Sequence, residues 1–151
     1  MEQTPQERVR RELTEVGVDR FTARDYRVGR IVHVVLFRYR PDVSQAEKDE
    51  VLTRFLALAD TQRAGEPYIE SIVGGPPMGG ESAEAGFEYG FVLTFASAGD
   101  RNYYVGEPVI SDPRFVDPVH ADFKRFVGPF LAPGGVLVFD VTGTGSRPLV
   151  K

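Results

Sequence analysis

The sequence contains no cysteine and only two histidines, and this scarcity limits the chemistry that the chain can carry out. Without cysteine there can be no disulfide bond, no thiolate nucleophile, no iron–sulfur cluster and no cysteine-ligated zinc. The two histidines, His33 and His120, lie far apart in the sequence and do not form a metal-binding motif. We therefore expect neither a metal nor another cofactor.

Signals for a membrane, for secretion or for nucleic acid are also missing. No apolar stretch reaches the length that spans a bilayer, and the N-terminus lacks the apolar core of a signal peptide. The net charge is −4, and lysine and arginine are scattered rather than clustered into a basic patch. These absences lead us to expect a cytoplasmic protein that binds neither nucleic acid nor membranes.

What the sequence does contain is the pattern of one α+β domain, as expected for 151 residues. Helices are predicted to begin after Ser44, where Glu47 completes a capping box, and after Asp117, with Pro118 as first helical residue. Apolar residues that alternate or run together predict strands at 31–39, 68–73, 87–95 and 136–141. The last of these is uniformly apolar, which favours a central strand buried on both faces. The resulting order, β-α-β-β-α-β, is typical of a ferredoxin-like fold.

The first thirty residues stand apart from this pattern. Thr4 and Glu7 form a predicted capping box, and Val9, Leu13 and Val16 share one face of the helix that follows. Residues 18–30 have no clear period. We interpret residues 1–30 as an N-terminal helical appendage and linker that is dispensable for folding, residues 31–142 as the domain, and residues 143–151 as a C-terminal tail.

Several segments of the domain resemble a known family in their order and spacing. They are HVVLFRY at 33–39, GFEY at 86–89, TFAS at 94–97, PVHADF at 118–123 and VLVFD at 136–140. Together they resemble the stress-responsive A/B barrel (Dabb) family over residues 31–142. This resemblance implies a ferredoxin-like subunit that pairs sheet to sheet with a second copy, giving a homodimeric α/β barrel with its helices outside.

The resemblance also implies a catalytic site. A plant polyketide cyclase of the family closes a linear poly-β-keto thioester by an aldol reaction without metal or cofactor. Its catalytic histidine lies in a Pro-x-His-x-x-Phe element, which His120 matches here, and its tyrosine and second histidine correspond to Tyr104 and His33. Residues 106–115 are an insertion relative to that enzyme, so the sequence leaves the distance between Tyr104 and His120 open.

The position of His120 itself supports a role in proton transfer. If Asp117 caps the helix, His120 is in its first turn, where the helix dipole disfavours an imidazolium and keeps the ring neutral. A neutral ring can accept a proton, and the neighbouring apolar stripe of Val119 and Phe123 predicts a pocket beside it. The alternative is a first-turn histidine that only bonds to backbone or solvent. For His33, a buried strand histidine satisfied by a neighbour is the simpler interpretation.

Three functions remain open from the sequence. The first is a cofactor-independent cyclase, isomerase or lyase in which His120 removes a proton from a β-keto, polyketide-like substrate and Tyr104 stabilises the enolate. The second is a small-molecule-binding or stress-response dimer without chemistry. The third is a cofactor-independent monooxygenase, which is suggested only by analogy with related barrels.

Overall fold

Residues 2–142, the part of the chain that the computed structural model describes, contain five α-helices and six β-strands. The C-terminal tail that the sequence predicts at 143–151 lies outside the described residues. The helices are α1 (Pro5–Val16), α2 (Val18–Phe21), α3 (Gln45–Ala57), α4 (Ala98–Val105) and α5 (Pro118–Val127). The strands are β1 (Val28–Tyr39), β2 (Gln62–Arg63), β3 (Glu66–Pro67), β4 (Ile69–Gly75), β5 (Tyr89–Ser97) and β6 (Leu131–Thr142).

The main sheet has the strand order β4-β5-β1-β6, and every neighbouring pair is antiparallel. The long helices α3 and α5 follow β1 and β5, so the predicted ferredoxin-like β-α-β-β-α-β arrangement is confirmed. Both helices contribute to the main core, where Phe55 of α3 stacks on Phe91 of β5 with ring centroids 3.8 Å apart. None of the helices in residues 2–142 is long and apolar enough to cross a membrane.

The starts of α3 and α5 are determined by local sequence. The Ser44 hydroxyl accepts from the Glu47 N–H, and the Glu47 carboxylate accepts from the Ser44 N–H, which is the predicted capping box. At α5 the carboxylate of Asp117 accepts from the N–H groups of Val119 and His120, and Pro118 is the first helical residue. A cap of this kind contributes about 1 kcal/mol and fixes which residue begins the helix.

Strand β6 corrects one expectation from the sequence. It is an edge strand, paired only with β1 among residues 2–142, and not a central strand buried on both faces. Val138 and Phe139, on opposite faces of β6, are 53% and 61% exposed. The apolar run therefore has solvent-exposed side chains on both faces of the sheet.

The described part of the N-terminal segment, residues 2–30, takes part in a second hydrophobic core. Phe21 and Tyr26 are buried together with Ile31, Ala98 and Ile110, and Val9 and Leu13 of α1 pack against this cluster. Ile110 belongs to the 106–115 segment, which the resemblance to the plant cyclase marks as an insertion. The N-terminal segment and the insertion thus bury apolar side chains against each other.

Candidate active site

The three residues singled out by the sequence, His33, Tyr104 and His120, meet at one place. The ring of His120 stacks on the ring of Tyr104, with centroids 3.7 Å apart and an interplanar angle of 10°. His33 meets the same tyrosine edge to face, with centroids 5.8 Å apart. The inserted residues 106–115 loop out between Tyr104 and His120 without separating them.

His120 is held in one orientation and one tautomer. Its Nδ1 lies 2.5 Å from the backbone carbonyl oxygen of Tyr104. Because a carbonyl oxygen can only accept, Nδ1 must carry the hydrogen, which leaves the lone pair on Nε2. The residue is 8% exposed, and no hydrogen bond engages Nε2 within residues 2–142.

The imidazole of His120 is neutral near pH 7. Burial lowers its pKa from 6.5 to about 3, the carbonyl of Tyr104 opposes this, and the charges of Lys124 and His33 add to the lowering. The sequence argument predicts a neutral ring from the helix dipole. The structure gives the same protonation state, but its largest cause is loss of water around the ring.

His33 has a carboxylate partner that the sequence analysis missed. The register of β1 and β6 places His33 opposite Asp140, and Nδ1 of His33 lies 2.5 Å from Oδ1 of Asp140. Arg101 of α4 donates to the other carboxylate oxygen at 2.7 Å. Burial raises the pKa of Asp140, but His33 and Arg101 outweigh it, so the net pKa lies below its usual value. The signal available in the sequence was one charged residue inside the apolar run 136–141.

The hydroxyl of Tyr104 is the unusual polar group of the site. Tyr104 is 2% exposed, and its hydroxyl has no hydrogen-bond partner among residues 2–142. Burial, with a smaller contribution from the charge of Asp117, raises the pKa of this phenol well above its ordinary value. The group therefore stays protonated and has a hydrogen to donate to a ligand.

These side chains line an apolar cavity of about 430 Å³, which we call the Tyr104 cavity. A cavity of this size can hold a small organic molecule. Its polar lining residues are His33, Tyr104, Glu107, His120 and Lys124, and its apolar lining includes Val35, Phe37, Phe123, Val127, Val136 and Val138. An uncharged apolar molecule with one polar group matches this lining.

Lys124 shapes the same cavity from α5, one turn after His120. Its ammonium donates to the carbonyl oxygens of Val105 and Glu107, at 2.6 and 3.1 Å. Burial lowers the pKa of Lys124, and the carboxylate of Glu107 opposes this shift. The lysine thus ties the start of the inserted segment to the helix that carries His120.

Residues 2–142 contain no group of three or more histidine, cysteine, aspartate or glutamate side chains placed to hold a metal ion. The site offers instead a neutral imidazole, a histidine paired with a carboxylate, and a protonated phenol. Such groups can accept and donate protons and can stabilise a developing oxyanion.

Comparison with known proteins places this geometry in context. The family model described as the stress responsive A/B barrel domain, Dabb, matches residues 31–142. A fusaristatin A biosynthesis cluster protein from Gibberella zeae is 33% identical over 106 residues, which cover 67% of this chain and 70% of the relative.

Solved structures share the fold at low sequence identity. A hydroxynitrile lyase from Passiflora edulis superposes with a TM-score of 0.61 at 20% identity, covering 80% of this chain and 98% of its own. A dimeric ferredoxin-like protein from Jannaschia has a TM-score of 0.58 at 20% identity, with 75% and 98% covered. A Dabb family protein from Mesorhizobium loti has a TM-score of 0.56 at 18% identity, with 78% and 99% covered.

Proposed function

Because the chain belongs to the stress-responsive A/B barrel (Dabb) family, we propose that it catalyses proton transfer on an enolisable β-keto substrate without a cofactor. The outcome of such a step is cyclisation, isomerisation or cleavage of the substrate. The observation that carries the proposal is Tyr104, a lining residue of an apolar cavity, whose ring contacts both histidines and whose buried hydroxyl has no partner among residues 2–142.

In this proposal each side chain has a separate task. Nε2 of His120 removes a proton from the acidic methylene beside the ketone, and the hydroxyl of Tyr104 donates to the oxygen of the enolate that forms. A negative enolate beside the ring favours the imidazolium, which offsets the low pKa of His120 in the empty cavity. His33, hydrogen-bonded through Nδ1 to Asp140, is a second acid–base group, and its Nε2 makes no hydrogen bond to the described residues.

The related proteins agree with small-molecule chemistry. The relative at 33% identity is a biosynthesis cluster protein, and one protein with the same fold is a hydroxynitrile lyase. The lyase shows that this fold can hold a lyase site in another protein. For the present chain the proposal depends on the geometry around Tyr104.

We also propose that two copies pair through the open face of the sheet. On this face β6 pairs Phe139 with Val34 and Val141 with Val32, and Phe139 and Val141 are 61% and 42% exposed. Val92 of β5, also opposite Val34, is 41% exposed. A contiguous apolar surface of this kind is typical of a subunit interface, and structural neighbours of this chain are described as dimeric.

A second candidate function is binding without catalysis. The pKa of about 3 for His120 favours it, because a ring that resists protonation is a weak base when no charge develops beside it. The Tyr104 cavity would then hold an apolar ligand whose carbonyl accepts from the Tyr104 hydroxyl.

Deuterium exchange separates the two functions. A β-keto thioester is incubated with the protein in deuterated water, and incorporation of deuterium at the acidic methylene is followed by NMR. If the chain catalyses proton transfer, exchange exceeds the buffer rate and falls about 100-fold in His120→Ala. Val119→Ala, at the exposed neighbouring position, is the matched control and should exchange like the parent.

If the thioester binds but its deuterium exchange stays at the buffer rate, the result supports the binding function and contradicts the catalytic one. If His120→Ala and the parent exchange deuterium at the same rate above that of the buffer, His120 is not the catalytic base and His33 becomes the candidate.

A further inference from the structure

A second cavity, of about 560 Å³, lies next to the Tyr104 cavity, and we call it the α1 cavity. Pro5, Gln6 and Val9 of the first helix form one side of it. Pro108 and Val109 of the inserted segment form another side, and Phe21 contributes between them. The N-terminal segment and the insertion thus supply half of the lining residues, and the ferredoxin-like unit supplies the other half.

The two cavities share four lining residues, His33, Val105, Pro108 and Val138. His33 thus faces the Tyr104 cavity on one side and the α1 cavity on the other. A molecule that extended from the Tyr104 cavity past His33 would enter the space beside α1.

The charged groups of the α1 cavity and the amide of Asn102 are already paired. Arg101 donates to Asp140 and to the side-chain oxygen of Asn102, and Asn102 donates to the carbonyl oxygen of Phe21. The ion pair between Arg101 and Asp140 leaves no unbalanced charge for an anion. Apart from Gln6 and His33 the remaining lining is apolar, so the cavity fits an uncharged hydrocarbon chain.

We propose that the α1 cavity binds the apolar chain of the substrate that extends away from the reacting carbonyl, and that Val9 and Val109 limit the length of this chain. The inference rests on the proposed function, in which the carbonyl lies against the Tyr104 hydroxyl. The N-terminal segment then selects substrates by size, while the family domain supplies the acid–base groups.

The test uses the full chain and straight-chain methyl ketones from butanone to decanone, with affinity measured by calorimetry. In the parent each added methylene should tighten binding about fourfold while the chain still gains apolar contacts. Val9→Phe fills part of the α1 cavity, so it should bind butanone like the parent and decanone at least about 10-fold more weakly. Val109→Phe fills the opposite wall and replaces Val9→Phe if that variant does not fold.

Two matched variants show which cavity holds the hydrocarbon chain of the ketone. Val16→Phe is on an exposed part of the same helix and should bind every ketone like the parent. Val136→Phe narrows only the Tyr104 cavity. If Val136→Phe weakens the binding of decanone but not of butanone, and Val9→Phe does not, the hydrocarbon chain of the ketone occupies the Tyr104 cavity and the proposal is overturned.

The absence of tryptophan from the sequence allows a direct reading of the cavity. In Val9→Trp the single indole lies at the cavity wall, and its emission should move to shorter wavelength when decanone displaces water beside it. Decanone that binds by calorimetry without this change would contradict the proposal. So would a parent that binds no methyl ketone.

Failure of this proposal is distinguishable from failure of the proposed function. If length-dependent binding responds to Val9→Phe while no β-keto thioester exchanges deuterium, the α1 cavity is a binding site and the catalytic proposal fails. If exchange depends on His120 but Val9→Phe binds long ketones like the parent, only the α1 cavity assignment fails.

Discussion

Tyr104 contacts His120 twice, once through its ring and once through its backbone carbonyl. The stacked rings are 3.7 Å apart, and the carbonyl oxygen lies 2.5 Å from Nδ1 of the same imidazole. One residue therefore fixes both the plane of the histidine and the nitrogen that carries its hydrogen. The hydroxyl of Tyr104 is left without a partner within the described chain.

Removing that hydroxyl should separate stability from function. In Tyr104→Phe an unsatisfied buried polar group is lost, so the free energy of unfolding should stay the same or rise by about 1 to 3 kcal/mol, while deuterium exchange falls because the enolate loses its donor. Urea denaturation measures the first effect and NMR the second.

Tyr68→Phe is the matched control. The hydroxyl of Tyr68 donates to the buried carboxylate of Asp117, so its removal should lower the free energy of unfolding by about 1.5 to 3 kcal/mol. Destabilisation of Tyr104→Phe to the same extent would mean that its hydroxyl has a structural partner.

Stability should fall as the pH is lowered below neutrality. In the unfolded chain His120 protonates near its ordinary pKa of 6.5, whereas in the folded chain its pKa is about 3. Between these values the unfolded state binds the extra proton, so acid favours unfolding. For one such group the free energy of unfolding should be about 2 kcal/mol lower at about pH 5 than at about pH 7.

The measurement is urea denaturation of the parent and of His120→Gln at both pH values. Glutamine does not titrate, and its amide can still donate to the Tyr104 carbonyl. The same pH slope in both proteins would show that His120 is not the group responsible.

Deletion of residues 1–27 tests the expectation that the N-terminal segment is dispensable for folding. The sequence alone leads to that expectation, but Phe21 and Tyr26 are 1% and 5% exposed in the second core. Their loss should lower the free energy of unfolding by at least about 3 kcal/mol, because Ile31 and Ile110 would lose their neighbours. Thermal melting compares this chain with one that begins at Thr4, and equal melting temperatures would support dispensability.

The proposed dimer can be weakened by a charge on the open sheet face. Val92→Asp places a carboxylate in the proposed interface, and dimer formation would strip this carboxylate of its hydration water. The variant should therefore sediment as a monomer at concentrations where the parent is a dimer. Val119→Asp is the control, since Val119 is 48% exposed on α5 and remote from that face. If the parent sediments as a stable monomer, the proposed dimeric barrel is wrong.

The sequence predicted those parts of the fold that depend on neighbouring residues. The capping boxes at Thr4 and Ser44 and the Asp117-Pro118 pair determine where helices begin, and all three are found in the structure. The alternation along 31–39 likewise predicted a strand, and β1 spans Val28–Tyr39. In each case the physical cause acts within a few residues of the signal.

The features that the sequence did not predict depend on long-range pairing. An apolar run such as 136–141 is equally compatible with a central and an edge strand, because only the strand order decides which it is. Asp140 becomes the partner of His33 through a register between strands more than one hundred residues apart. Residues 18–30 lack a period because Phe21 and Tyr26 pack against a distant loop and not along one helix face.

The shared core of the N-terminal segment and the 106–115 insertion has a consequence for engineering. Neither part can be grafted alone onto a barrel that lacks the other, because Phe21 and Tyr26 would then meet solvent where Ile110 now covers them. In a chimaera that receives both parts, the two segments bury each other's apolar side chains. The unit of exchange in this protein is therefore a pair of segments distant in sequence, which must be transferred together.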